Sequence, residues 1–507
     1  MKKALVVLCF LTVFSAFLFS SVLNFIPRDA SVVFVSRDNA TNYENLKKVG
    51  IFGFLLRDLG IEGLISMQVE TLKYVDQTFV PEHFWALIEG DIAFFAKGAF
   101  DLSALENLAM MGESALLMDE TEMLDTVQSL GEDMEACLII RPTVDPQKAL
   151  HALNKLLGMN ISFGVPIEDL GITLLKEGNY ILVPTNQDAY ISAMNAQLDS
   201  IRNDPIFAKL WAEPNWMIGY FPLGLSMDRL SGMITEMLPS ELLEKSATME
   251  YSWFTGRMDE VNSLVLTGFN KYDYHDPLLK EIMVSGGVNI RDWSRTIRTP
   301  GVLVAGMKFA QLDRLISFYG DSAKQAMYEM KDLLFMDEEE FGMLSHMIHE
   351  FIQTINGEFL MSGDLVMEGF DFGFDFHLLA GLKNQQGMKS LLEELGVPLT
   401  TAYGVDSYLI DNDEIPIFLI ISEHGAALTS LSPASYMQDL SKSTPLYERI
   451  QFRQKVDRYG YNTGYSFAFV DIGELLTSLL GLPFPSSLFS QIGVDAEGNA
   501  HFMTVIR

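Results

Sequence analysis

Few residues in this chain could do chemistry, and the best-spaced of them are His346, His349 and Glu350 in "SHMIHE". At i, i+3 and i+4 of a helix these three share one face. Two imidazoles placed in this way can hold a transition metal when a third ligand arrives from elsewhere. No second motif supplies that ligand, and the matching stretch of the first half, "QTFVPEHF", keeps only His83. A solvated helix face is the expected role, so no metal, cofactor or catalytic residue is assigned. The acidic run "MDEEEF" (336–341) precedes a helix, where carboxylates cap orphan amides and meet the positive end of the dipole. "VDAEGNAHF" (494–502) alternates Asp495, Glu497 and Asn499 beside Gly498 but lacks the length and closing acidic ligand of a calcium loop. It reads as a hairpin turn, as does "IDNDEIP" (410–416). There is no G-x-S-x-G elbow, no phosphate-binding glycine loop ending in Gly-Lys, no H-E-x-x-H and no C-x-x-C.

The elements that would position such groups must come from a chain of 507 residues, too long for one ordinary core. Hydrophobic residues make up 49% of it, enough to fill large cores and to exclude a disordered chain. The 67 acidic residues against 35 basic give a formal charge of −32, which repels phosphate backbones and anionic headgroups. Nucleic acid is therefore not an expected partner, and the charge serves solubility. The 27 Met and 35 Phe read first as core filler. Met also lines adaptable apolar surfaces, and the Met- and Leu-rich stretch about 99–128 raises the alternative of a groove for acyl chains or unfolded segments.

The N-terminus begins "MKK" and continues "ALVVLCFLTVFSAFLFSS", a charged segment followed by an apolar one. Residues 1–21 are expected to be a signal peptide or an N-terminal membrane anchor. The apolar run reaches Leu23, about the length that spans a bilayer. The protein is thus expected to be exported, periplasmic or extracellular, tethered to the inner membrane by residues 4–23 if that segment is retained. Membrane contact is expected only through it. Removal of a signal would leave Cys137 alone, with no partner for an intramolecular disulfide. Its setting, "ACLIIRP", is that of a buried, inert thiol.

The chain also reads as if written twice. "PQKALHALNKLLG" (146–158) is echoed by "NQQGMKSLLEELG" (384–396), with Leu150, Leu153 and Leu157 answered by Met388, Leu391 and Leu395. Collinear matches follow: "NDPIFAKLW" with "STPLYERIQ", "NWMIGYFPLG" with "GYSFAFVDIG", and two closing hairpins in which Asn262 falls over Asn499. Upstream, "FWALIEGDIAFFAKG" pairs with "FIQTINGEFLMSGDL" at a larger spacing, so the first copy holds an additional segment, about 99–128. The boundaries expected are a first repeat over 25–272, a connector over 273–297 with a break at Gly286-Gly287, and a second repeat over 298–507. Strand cues come in neighbouring pairs, as in "GFDFGFDFHLLA", rather than in βαβ alternation. The expected fold class is α+β: two related domains, each a mainly antiparallel sheet packed against helices.

Several of these stretches resemble a bacterial family of exported proteins defined only as a domain of unknown function. They are "FIPRDASVVFVSRDN", "GDIAFFAKG", "ACLIIRPTVDPQKALHALNKLLG" and the run from "GNYILVP" to "NWMIGYF". The resemblance covers most of residues 25–235 and, more weakly, the second copy. It implies a Pro-initiated first strand after a signal or anchor, then a strand pair, a helix, a D/N-P-x-F element and another strand. It implies no activity, cofactor or catalytic residue. Function is accordingly expected to be that of a non-enzymatic envelope protein, a binding or scaffold module for an unknown envelope partner. The alternatives are a carrier or chaperone for lipid or other hydrophobic cargo, which requires an apolar cavity between helix layer and sheet, and a hydrolase with an unrecognised site.

Overall fold

The structure is a computed structural model, and it describes residues 21–98, 135–167, 172–222, 247–320, 338–368, 371–397, 399–402, 405–411, 416–423, 425–481 and 485–507. The additional segment near 99–128, most of the N-terminal apolar run, Asp337 of the acidic cluster and the centre of "IDNDEIP" lie outside these residues. No helix among the described residues is long and apolar enough to cross a membrane.

Contacts divide the chain into two compact units: 1–48, 52–232 and 251–258 in the first, and 49–51, 233–250 and 259–507 in the second. Each is α+β, with an antiparallel sheet and helices. In the first unit, β1 is Val32–Ser36, α1 Ile61–Val75, α2 Pro81–Glu89, β2 Asp91–Lys97 and β3 Glu135–Arg141. Then come α3 (Pro146–Leu157), β4 (Leu175–Glu177), β5 (Tyr180–Pro184), α4 (Gln187–Asn195), α5 (Pro205–Ala212), β6 (Met217–Phe221) and β7 (Ala247–Met258). The strands lie side by side as β7-β6-β1-β2-β3-β5-β4, every pair antiparallel.

The second unit opens with β8 (Leu264–Tyr274), α6 (Pro277–Gly286), α7 (Ile290–Ser294), β9 (Leu303–Lys308), α8 (Glu338–Thr354), β10 (Ile355–Glu368), β11 (Asp371–Leu382) and α9 (Gln385–Glu394). It continues with β12 (Leu399–Ala402), β13 (Val405–Asp411), β14 (Ile417–Ser422), β15 (Gly425–Thr429), α10 (Pro433–Lys442), α11 (Ile450–Tyr459), β16 (Gly464–Val470), α12 (Ile472–Leu480), β17 (Leu488–Val494) and β18 (Ala500–Ile506). Its order is β8-β18-β17-β16-β9-β10-β11-β15-β14-β13-β12, again antiparallel throughout. The run β17-β16-β9-β10-β11-β15-β14 repeats, strand for strand, the run β7-β6-β1-β2-β3-β5-β4.

Local chemistry places the repeated parts. Asp145 and Asn384 cap α3 and α9 by accepting from Gln147 N and Gly387 N, and both segments leave their helix through a left-handed glycine, Gly158 at φ 66° and Gly396 at φ 69°. The hairpin turns match one residue differently from the sequence alignment. Asp259 Oδ1 accepts from Val261 N and Ser263 N, and Asp495 Oδ1 from Glu497 N and Asn499 N. Asn262 (φ 57°) therefore answers Gly498 (φ 89°), not Asn499, because that turn position demands a left-handed backbone. The strand β8, read from sequence as the end of the first copy, belongs by its contacts to the second unit, where Leu264–Asn270 pair with Ile506–Ala500.

The cores lie between sheet and helices. In the first unit Val33, Phe95, Ile139 and Ile218 pack with Phe207 of α5. In the second, Phe452 of α11 is fully buried and meets the rings of Phe467, Phe469 and Phe489 edge-on at 5.6, 5.3 and 5.7 Å. Phe452→Ala should remove both the burial and these ring contacts and lower unfolding free energy by about 3–5 kcal/mol. Denaturant titration checks this, and a loss below about 1 kcal/mol would contradict the packing role.

Candidate functional site

The sheet of the second unit has a face turned away from its helices, and the alternation of its strands puts apolar residues there. Val304, Leu360, Leu379, Phe467 and Phe469 point into the helix-covered core. Their sequence neighbours point the other way, and Met307, Met361, Leu378 and Ile492 are 51, 42, 42 and 46% exposed. Register arranges them in rows across five strands. One row runs Leu378, Met361, Ala305, Ala468, Ser490, and the next runs Phe359, Met307, Ser466, Ile492. Small Ala305, Ala468 and Ser490 follow Leu378 and Met361 in the first row and lie beside Met307 and Ile492 of the next, so the surface dips along them. The resulting groove has a volume of about 540 Å³, and none of its lining residues is charged. At its margin the hydroxyls of Ser490 and Thr504 satisfy one another at 2.9 Å.

The expected position for a cargo cavity was between helix layer and sheet. Among the described residues the helix side is packed around Phe452, Phe467, Phe469 and Phe489, and the groove lies on the opposite face. In the first unit the corresponding face carries rings instead: Phe34 meets Phe221 at 5.6 Å and Phe254 at 5.7 Å, over buried Val32, Ala96 and Ala136.

The residues singled out from sequence are not brought into one site. His346 and His349 are exposed on α8, and His346 Nε2 lies 3.8 Å from Glu394 Oε1 of α9. Glu350 is partly buried on the same helix. Among the described residues no group of three or more His, Cys, Asp or Glu could hold a metal ion. Cys137 is buried on β3, and burial pushes its thiol up to about 12, which makes it a poor nucleophile at neutral pH. Asp495 is occupied by its own turn, accepting from Asn499 Nδ2 at 3.1 Å besides the two amides.

Two sets of residues escaped the sequence reading. The groove residues left a signal in "FLMSG" and "HLLAG", where both faces of a strand are apolar. Lys455 left none, being one cation among many in "QFRQKVDRYG", yet it is only 4% exposed. Burial, followed by the repulsion of Arg507, pulls its amine down to about 8, with Asp259 opposing the shift.

No family model matches this chain, and no characterised protein sequence compared with it does. Solved structures of TP0453 show distant likeness. Crystal form III matches at 12% identity and a TM-score of 0.25 over 41% of this chain and 77% of that one. Crystal form IV matches at 11% identity and a TM-score of 0.24 over 44% and 81%.

Lys455 yields a test of its own. Its amine ordinarily titrates near 10.5 and in the fold near 8, so unfolding takes up a proton between those values and wild-type stability should rise with pH across that window. Replacing the buried ammonium in Lys455→Met should stabilise the protein by up to about 3 kcal/mol at pH 7. That gain should shrink from pH 8 to 10 in buffers of large organic anions. A difference between variant and wild type that does not change with pH would contradict the burial of a charged Lys455.

Proposed function

We propose that this is an exported envelope protein built of two tandem α+β copies, of the family whose strand and D-P-x-F motifs it resembles. It acts as a non-enzymatic binding module, and the ligand taken by the second unit is a long hydrocarbon, such as an acyl chain. The observation that carries this reading is the uncharged apolar groove of about 540 Å³ on the uncovered sheet face, within the size range of small-molecule sites. The repeated strand order and matched helix caps support the duplication.

The backbone favours a hydrocarbon over an extended peptide. All five strands under the groove, β11, β10, β9, β16 and β17, are paired on both sides. An extended peptide lying on them would find no free main-chain partner and would bury its own amides unpaired, at about 1–3 kcal/mol each. A hydrocarbon bears no such cost, and each methylene removed from water contributes about 0.8 kcal/mol.

A fluorescent fatty acid titrated into the full-length protein should bind saturably. Met361→Glu, which sets a carboxylate in the groove, should weaken binding at least about tenfold, while His346→Ala should leave it unchanged. Failure of the probe to bind, or equal binding by the Met361→Glu variant, would overturn the reading.

A further inference from the structure

At one end of the second unit's sheet, three strands finish side by side with polar residues on the helix-facing side. The buried row Phe489, Val505, Val265 is set by register. Two residues further along each strand, on the same face, stand Ser487, Arg507 and Ser263. Ser487 and Arg507 exchange backbone hydrogen bonds at 3.3 and 3.0 Å. Ser263 and Ser487 are 1 and 0% exposed, and neither hydroxyl has a hydrogen-bond partner.

The helix α11 lies over this end. Phe452 rests on Phe489, and two turns later Tyr459 donates its hydroxyl to Asp259. Lys455 lies between them on the same helix face, three residues after Phe452 and four before Tyr459. It is acted on by Arg507, Asp259 and Arg458. Asp259 is the one carboxylate among these groups, and it already receives Tyr459, the amides of Val261 and Ser263 at 2.9 and 2.8 Å, and Arg458 at 3.7 Å. Arg458 and Arg507 are exposed to solvent, whereas Lys455 is 4% exposed and has no ion-pair partner among the described residues.

We propose that Lys455, Ser263 and Ser487 form a buried binding site for a small monovalent anion of halide size. The ammonium supplies charge and a donor, and the two hydroxyls turn their protons inward. Water would satisfy the hydroxyls but leave Lys455 without a counter-charge, whereas a halide answers both. The site is on the opposite side of the sheet from the apolar groove and does not depend on what the groove binds.

The test is chloride binding to the full-length protein, read by ³⁵Cl NMR line broadening in an isethionate background at constant ionic strength. Broadening should saturate and be displaced by bromide. Lys455→Met should abolish it, and Ser263→Ala with Ser487→Ala should weaken it at least about tenfold. Thermal unfolding in the same solutions shows that each variant is folded, and the wild type alone should gain stability from chloride. No saturable broadening, or broadening by folded Lys455→Met equal to that of the wild type, overturns the site.

Discussion

Successive residues of a β-strand point to opposite faces, so a sheet packed against helices on one side presents every second side chain on the other. Antiparallel sheets usually meet this constraint by making the second set polar. In the second unit the strands β9, β10, β11, β16 and β17 do not. They place Val304, Leu360, Leu379 and Phe467 in the core and Met307, Met361, Leu378 and Ile492 on the uncovered face. Exposed apolar surface in contiguous rows, rather than scattered singly, marks a surface meant to be covered. The reading of this protein as a hydrocarbon-binding module follows from that departure.

The two faces depend on one another. Phe452, ringed by Phe467, Phe469 and Phe489, fixes α11 to the sheet. The same helix carries Lys455 over the strand ends at Ser263 and Ser487, so one packing contact both closes the core and desolvates a cation. In the first unit the same strand order ends differently, because Phe34, Phe221 and Phe254 fill the corresponding face with rings. Two units with one strand order therefore carry different surfaces, and the difference lies in side-chain volume at a few positions.

Much of the fold was legible because its determinants are local. Alternation in "GYSFAFV", the apolar spacing of α3 and α9, and the glycines after them each act over a few residues. The pairing of β8 with β18 was not legible, since it joins residues far apart in sequence. The turn at Asn262 was misaligned by one because residue identity, Asn with Asn, outweighed the backbone requirement that Asn262 shares with Gly498. Of the sites, the groove was half visible: apolar neighbours in "FLMSG" announce two apolar faces but not which one lacks a cover. Lys455 was invisible, since only tertiary packing buries it. The His346 and His349 pair, legible as a pattern, proved to be an exposed stretch of α8.

The central claim concerns where a hydrocarbon lies, and photo-crosslinking tests it most directly. A diazirine-bearing fatty acid, irradiated with the full-length protein and mapped by peptide mass spectrometry, should label the strands that carry Met307, Met361, Leu378 and Ile492. Label confined to the helices, spread without preference, or absent at probe concentrations that saturate fluorescence would contradict the account.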